Sequence, residues 1–395
     1  MKTNVAVFFG CRSVEHEVSI ISAVQAMRSM NRDKYDIIPI YVTKDGEMYT
    51  CDALFDIEEY RDLPALLKKS EPITLVRTDG GVVMRYLKSG IFSKHKDRVI
   101  DVAFPIVHGT NCEDGTIQGY FEYLGLPYVG CDIVSSALGM DKSAFKDVMK
   151  SAGIPVLDCI NIRAREYSED RDGCINRIKE KIGFPLIVKP VNLGSSVGIT
   201  KVNDIDGLDD ALTLAFSFSE RVLAERAIEN LREINCSVLG DADSCEASVC
   251  EEPFMHDEIL SYEDKYMGNS KSGSKGMASL GRKIPADLPK EKSEEIQELS
   301  CKVFRALGAG GVVRIDFMID TDNDSVYVNE INTIPGSLAF YLWEATGLKY
   351  TDLLDKLIGL AFRRSRSRDN LTFAINTNIL SGASFGSKGT KGKLS

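Results

Sequence analysis

Along residues 4–140, short apolar runs at 4–10, 35–42, 99–107 and 127–130 are separated by stretches with helical periodicity. Strands that are apolar almost throughout belong to sheets covered on both faces, so this region predicts a parallel α/β sheet. A helix over 141–152 leads to strands at 155–162 and 184–189 with a charged helix between them, then a helix over 207–217 and a strand over 221–228. Beyond about 230 strands dominate, at 233–240, 245–252, 311–320 and 325–332, with helices over 290–307 and 351–363. The pattern divides the chain into an N-terminal α/β domain (1–141), a central unit (142–229), a C-terminal unit (230–365) and a tail (366–395). The tail's composition favours disorder, with one edge strand expected over 371–380.

The runs 311–320 and 325–332 flank Asp322-Asn323-Asp324 and read as a β-hairpin. If Asp316 stands opposite Glu330, then Arg314 faces Asn332, and the two-residue period puts all four on one face, leaving the other largely apolar. A cation, two carboxylates and an amide converging on one patch are costly when buried bare, so a hard metal ion held through oxygen is the natural explanation. That chemistry is typical of nucleotide and phosphate sites.

At 395 residues, 44% hydrophobic and 27% charged, the chain is long enough for two to four domains with an ample core. Lys plus Arg number 48 against 58 Asp plus Glu, a formal charge of -10 with no basic block, which argues against nucleic acid or an anionic membrane as partner. The ten cysteines are scattered without a Cys-x-x-Cys pair and only four histidines occur, so reduced thiols in a cytoplasmic protein are expected rather than disulfides or a zinc site. The apolar run at 5–9 is too short for a signal peptide or membrane span and reads as a first buried strand.

Gly194-Ser195-Ser196-Val197-Gly198, after the strand ending in Lys189, offers backbone amides, hydroxyls and a cation to phosphate; alone it fits a hairpin turn equally well. Glu225, near a strand end that reaches Ile228 with Glu233 following shortly after, reads first as an ordinary surface charge, with a carboxylate and backbone groups holding adenine and ribose as the alternative. Lys142, at a helix start, reads first as a solvated lysine, with a ligand contact as the alternative. The stretch 266–283, rich in Gly, Ser and Lys, reads as a disordered insertion or an active-site lid. In the first domain, residues 10–19 follow a strand and open a helix, where the helix N-terminus suits a carboxylate and Glu15 an ammonium, together an amino acid; capping by Ser13 is the plainer reading. Residues 108–115 repeat the arrangement after another strand.

Glu15-His-Glu-Val-Ser19, His108-Gly-Thr-Asn-Cys-Glu-Asp-Gly-Thr-Ile-Gln-Gly119, Met140-Asp-Lys142, Lys189-Pro with Gly194-Ser-Ser-Val-Gly198, Tyr262-Glu-Asp-Lys265-Tyr266 and Asn329-Glu-Ile-Asn-Thr-Ile-Pro-Gly336 together resemble the D-alanine–D-alanine ligases of the ATP-grasp superfamily, in that family's order over 4–363. The resemblance implies an α/β (α+β) ATP-grasp fold of three domains and an ATP-dependent ligase joining two D-alanines through an acyl phosphate, for cytoplasmic peptidoglycan synthesis. It implies ATP contacts from Lys142, Lys189, Ser196, Glu225, Ile228, Glu233, Lys265 and Asn329, and two Mg²⁺ (or Mn²⁺) on Asp316, Glu330 and Asn332. Glu15 would hold the first ammonium within a Glu15–Ser195–Tyr266 network, His108 and Tyr341 would line the substrate site, and Arg314 with the Gly336 amide would meet the oxyanion. Tyr266 stands where ester-forming relatives carry histidine and so favours an amine nucleophile. A homodimer through the first domain is implied as well.

The chain departs from the family just past Gly336, reading Ser337-Leu-Ala-Phe-Tyr341 where the relatives continue toward a serine at 341 that would hold the second substrate's carboxylate. The adenine segment is one residue longer at Leu231, and the tail lies outside the resemblance. D-Serine or another small amino acid therefore stands as an alternative acceptor, and a nucleotide-binding relative without turnover as a different class of reading.

Overall fold

In the computed structural model the described residues are 2–87, 96–194, 197–253 and 281–372, and they build three β-sheets flanked by helices. The first sheet has the order β6-β5-β4-β3-β2-β1-β7, from β1 (Thr3–Gly10), β2 (Tyr35–Val42), β3 (Met48–Thr50), β4 (Glu71–Thr78), β5 (Gly81–Tyr86), β6 (Arg98–Ile100) and β7 (Val102–Pro105). Only β2, β1 and β7 run parallel; β2 through β6 form an antiparallel meander. The sheet is thus mixed, not the parallel sheet expected. The Asp79-Gly80 turn between β4 and β5 is a short-range hairpin signal that the helical reading of this region passed over.

The run at 99–107 is two strands, because Asp101 turns out of the sheet, its carboxylate accepting the Asn4 N–H at 2.7 Å. At 127–130 the only pairing among the described residues is a parallel bridge from Tyr128 to Ala103.

The second sheet, β10-β9-β11-β8, is antiparallel, from β8 (Cys159–Arg163), β9 (Leu186–Pro190), β10 (Thr200–Val202) and β11 (Arg221–Arg226). Its core gathers Ile162, Val188, Leu212 and Val222 beneath the helices Arg171–Lys181 and Leu208–Phe216. The third, β14-β13-β12-β15-β16, is also antiparallel, from β12 (Leu231–Gly240), β13 (Cys245–Pro253), β14 (Arg282–Lys283), β15 (Gly311–Asp320) and β16 (Ser325–Asn332). Ile315, Phe317, Ile234 and Val313 pack with Val303 and Phe304 of the helix Lys290–Ala306 on one face. The opposite face is left for polar groups.

The helix Tyr350–Asp369 runs six residues past its expected end at 363, so the tail begins in helix. Its Leu353, Leu354, Leu357 and Ile358 share one core with β1, β2 and β7 of the first sheet. Residues 373–380 of the expected edge strand lie outside the described residues. All ten cysteines are free. No helix among the described residues is long and apolar enough to cross a membrane.

Candidate active site

The hairpin sets the floor of the site. Asp316 pairs with Glu330 and Arg314 with Asn332, the register expected from sequence. A β-bulge between Asp316 and Phe317 adds Asn329 to β16, and this extra residue resets the alternation so that Glu330 and Asn332 leave the core face occupied by Val326 and Val328. Arg314 grips Asp316 with two bonds, Nε to Oδ1 and Nη2 to Oδ2, both 2.7 Å. Asn332 Nδ2 adds a third at 3.0 Å.

A row of direct cross-strand neighbours, Glu251, Asn235, Asp316 and Glu330, crosses four strands on this face. Burial lifts Asp316 above the ordinary carboxylate range; Arg314 pulls it down, while Glu330 and Glu251 push it up. These oxygen donors of adjacent strands, each with a cation beside it (Arg282 at Glu251, Arg314 at Asp316, Lys142 at Glu330), suit a hard divalent cation that would take over part of that charge balance. Among the described residues no three acidic, histidine or cysteine side chains converge closely enough to hold a metal ion by themselves, so such a cation would draw further ligands from phosphate or water.

Lysines from the second sheet and its neighbouring helix face the hairpin. Asp141 caps the helix Lys142–Ser151 by accepting the Ser143 and Ala144 N–H groups, which fixes Lys142 in the first turn. Its Nζ donates to Leu193 O at 2.8 Å and lies 3.0 Å from Glu330 Oε2, so Lys142 is buried rather than solvated. Lys189, on β9, donates to Glu225 and to Asn329 Oδ1 at 3.3 Å. Lys146, one turn beyond Lys142 and fully buried, places Nζ 2.8 Å from Glu225 Oε2. Glu225 is only 2% exposed and is no surface charge: burial opposes its ionisation, but the two lysines outweigh that and hold it down at about 2.

Next to this cluster Ile228, Leu157 and Met318 form a small apolar group with Leu231 and Tyr327, and Glu233 pairs across the sheet with Met318. An apolar wall with a carboxylate at its rim suits adenine and ribose.

The first domain closes the site. Glu15 is buried at the N-terminus of the helix His16–Ser29. Ser13 does not cap that helix; its hydroxyl accepts the Glu15 N–H at 3.0 Å. Gly109, at φ +80°, lies so close that a Cβ would come within 2.9 Å of Glu15 Oε2 and 2.4 Å of Ser13 Oγ. Gly194 brings the glycine-rich connection to the same carboxylate, since a Cβ there would sit 3.5 Å from Oε2. Glu15, Lys142, Gly194, Glu330 and Asn332 thus line one cleft, with about 430 Å³ of empty space including its open side.

Glu113 lines the same cleft and joins two loops, accepting from Gly109 N at 2.8 Å and Ile334 N at 3.0 Å. Burial and then Glu15 raise its carboxyl to about 8 against those two bonds. Tyr341, at the expected departure from the family pattern, donates its proton to Glu251 at 3.1 Å. Burial, then Glu251, lifts that hydroxyl to about 12, so it stays protonated. Glu251 also accepts from Asn235 at 3.0 Å and pairs with Arg282 at 3.0 Å, and the Arg282 guanidinium lies 4.2 Å from the Tyr341 ring centroid. His108 is buried with both ring nitrogens engaged within the protein, by Ile334 O at 2.8 Å and Ser22 Oγ at 3.2 Å.

Ser195, Ser196, Lys265 and Tyr266, and residues 266–280 of the expected lid, lie outside the described residues. Sequence reasoning missed Lys146, Glu251 and Met318 as parts of the site and placed Glu113 only within the 108–115 junction, without a role of its own. Lys146 had a signal in its i, i+4 spacing from Lys142 and Met318 in its alternation with Asp316, but nothing local marked Glu251.

Buried lysines on an antiparallel sheet and its neighbouring helix, facing paired carboxylates on the next sheet beside a glycine-rich connection, belong to the ATP-grasp class of carboxylate–amine ligases. The family descriptions "D-ala D-ala ligase N-terminus" and "D-ala D-ala ligase C-terminus" match residues 4–131 and 148–359. A D-alanine–D-alanine ligase of Thermosipho melanesiensis is 39% identical over 378 residues, 95% of this chain and 98% of the relative. One from Acetivibrio thermocellus is 40% identical over 383 residues, 94% and 98% of the two chains. Among solved structures, the D-alanine–D-alanine ligase of Coxiella burnetii superposes with a TM-score of 0.78 at 31% identity, covering 93% of this chain and 96% of its own. A D-Ala:D-Ser ligase of Enterococcus faecalis gives 0.76 at 31%, covering 91% and 100%. The chain belongs to the D-alanine–D-alanine ligase family.

Proposed function

We propose that this chain joins two D-alanines to D-alanyl-D-alanine at the expense of ATP, in the cytoplasm and for peptidoglycan synthesis. The observation that carries the reading is the meeting of Glu15, Lys142 and Glu330 in one cleft, a carboxylate for an ammonium beside a cation and a carboxylate for phosphate. In the first step a carboxylate oxygen of the donor amino acid attacks the γ-phosphorus, the bond to ADP breaks, and an acyl phosphate forms. In the second, the acceptor amine, having lost a proton, attacks the acyl carbon and phosphate leaves.

Glu15 orients the donor's ammonium in this scheme, with Ser195 and Tyr266 assigned beside it by resemblance. Lys142 and Lys189, with Ser196 and Lys265, offset charge on the transferring phosphoryl group, which is most of what such sites do. Glu225 and Lys146 keep Lys189 in place, while Ile228, Met318 and Glu233 receive adenine and ribose. Arg314 and the Gly336 amide meet the oxyanion. Asp316, Glu330 and Asn332 would hold two Mg²⁺ (or Mn²⁺), which when bound would neutralise phosphate charge. A homodimer through the first domain belongs to the same reading.

With the proton of Tyr341 committed to Glu251, this residue does not supply the carboxylate donor assigned to 341, and D-serine stands as the alternative acceptor. Mass spectrometry of products from ATP with D-alanine alone, and with D-alanine plus D-serine, decides between the two. The reading predicts ADP release together with a D,D-dipeptide. Nucleotide binding with no ADP released for any D-amino acid would identify a non-catalytic relative instead.

A further inference from the structure

Immediately after Gly336 the backbone makes a turn that L-residues avoid. Ser337, Leu338 and Ala339 have φ of 50°, 55° and 49° with ψ of 26°, 25° and 30°, and all three are buried. Left-handed backbone is disfavoured for every residue with a Cβ, so a consecutive run persists only when its surroundings over-determine it.

The surroundings come from the first domain. The Ser337 N–H donates to Ser22 Oγ at 3.0 Å, across 315 positions of sequence. Ser22 Oγ in turn lies 3.2 Å from His108 Nε2, and His108 Nδ1 lies 2.8 Å from Ile334 O. A carbonyl oxygen only accepts, so Nδ1 carries the ring proton; burial disfavours a second proton, leaving Nε2 as an acceptor for the Ser22 hydroxyl. The donors therefore run in one direction, from Ser337 N–H to Ser22, from Ser22 O–H to His108, and from His108 N–H to Ile334. The chain of bonds begins and ends on the loop that carries Gly336, one residue from it at one end and two at the other.

We propose that Ser22 is a positioning residue, holding the left-handed turn so that the Gly336 amide stands where the tetrahedral oxyanion develops. Serine is needed because its hydroxyl accepts from Ser337 and donates to His108 at once, and at 1% exposure no water replaces it. The proposal rests on the reading of Gly336 as an oxyanion donor. It concerns the second chemical step only, because the first places no tetrahedral carbon beside that amide.

The test is Ser22→Ala, assayed for ADP and dipeptide in the same reaction. Dipeptide turnover should fall roughly 10- to 100-fold, the effect of orphaning buried donors and acceptors. ADP release should fall less, because stranded acyl phosphate still hydrolyses, and the KM for ATP should not move. Ser22→Thr, which keeps the hydroxyl, should restore the dipeptide-to-ADP ratio. If Ser22→Ala does not fold, Ser22→Cys, with a similar volume and a weak acceptor, reads the same ratio. A ratio unchanged from wild type in these variants overturns the proposal. Wild-type protein that releases no ADP is a separate result, which removes the functional reading and this proposal with it.

Discussion

Glu225 was legible in the sequence as a candidate, but its surroundings were not. A carboxylate at a strand end suggests a nucleotide contact or a solvated charge, whereas the folded chain buries it between Lys146 and Lys189. Lys146 escaped notice for the same reason, since a lysine on an amphipathic helix normally reads as solvated. Glu225→Gln should destabilise the protein by about 3–5 kcal/mol at neutral pH, because two buried cations lose their partner. The pH dependence has a definite sign: a carboxyl lowered from 4.5 to about 2 contributes stability above 4.5 that is lost as pH falls toward 2. Urea midpoints measured across that window should drop for wild type more steeply than for the variant. Parallel slopes would count against the pairing.

Two further single-residue changes bear on chemistry. Glu330→Gln should leave the unfolding midpoint close to wild type, yet cut turnover by about 100-fold or more, since it removes a charge that faces both Lys142 and the phosphate site. Steady-state ADP release checks this, and wild-type activity would sink the metal assignment. Tyr341→Ser should change the KM of the acceptor more than that of the donor. Equal changes in both would move Tyr341 out of the acceptor site.

At the scale of elements, the β15–β16 hairpin was read from sequence with its register intact, because polar residues every second position leave little freedom in pairing. The bulge at Asn329 was not read, although the adjacent polar pair Asn329-Glu330 breaks the alternation. Deleting Asn329 should turn Glu330 and Asn332 toward the core. The expected result is loss of both soluble protein and turnover, read by the yield of folded protein in solution and by ADP release. A soluble, active deletion variant would show the bulge to be incidental. In the first sheet the strands β3 to β5 went unread, because strands half exposed on one side carry a weaker signal than the buried run of β1.

For the molecule as a whole, sequence order suggested successive domains, while the hydrophobic cores cut across that order. Residues 353–361 of the last helix pack with β1, β2 and β7, and Trp343 belongs to the same core. The second sheet keeps a core of its own. Leu357→Ala should cost about 2–5 kcal/mol. It should shift the urea transition seen by fluorescence of Trp343, the chain's one tryptophan, more than it shifts unfolding of the second sheet followed by hydrogen exchange. Equal shifts in both would mean that the cores unfold as one.

The interleaving of distant segments also bears on biosynthesis. The first sheet's strands emerge from the ribosome early, yet the leucines that cover them arrive only with residues 353–357. Until then an apolar face built by the first third of the chain has no lid of its own. Part of the apolar surface of the first sheet is therefore completed only when the final helix docks, the last step of this core's assembly along the chain.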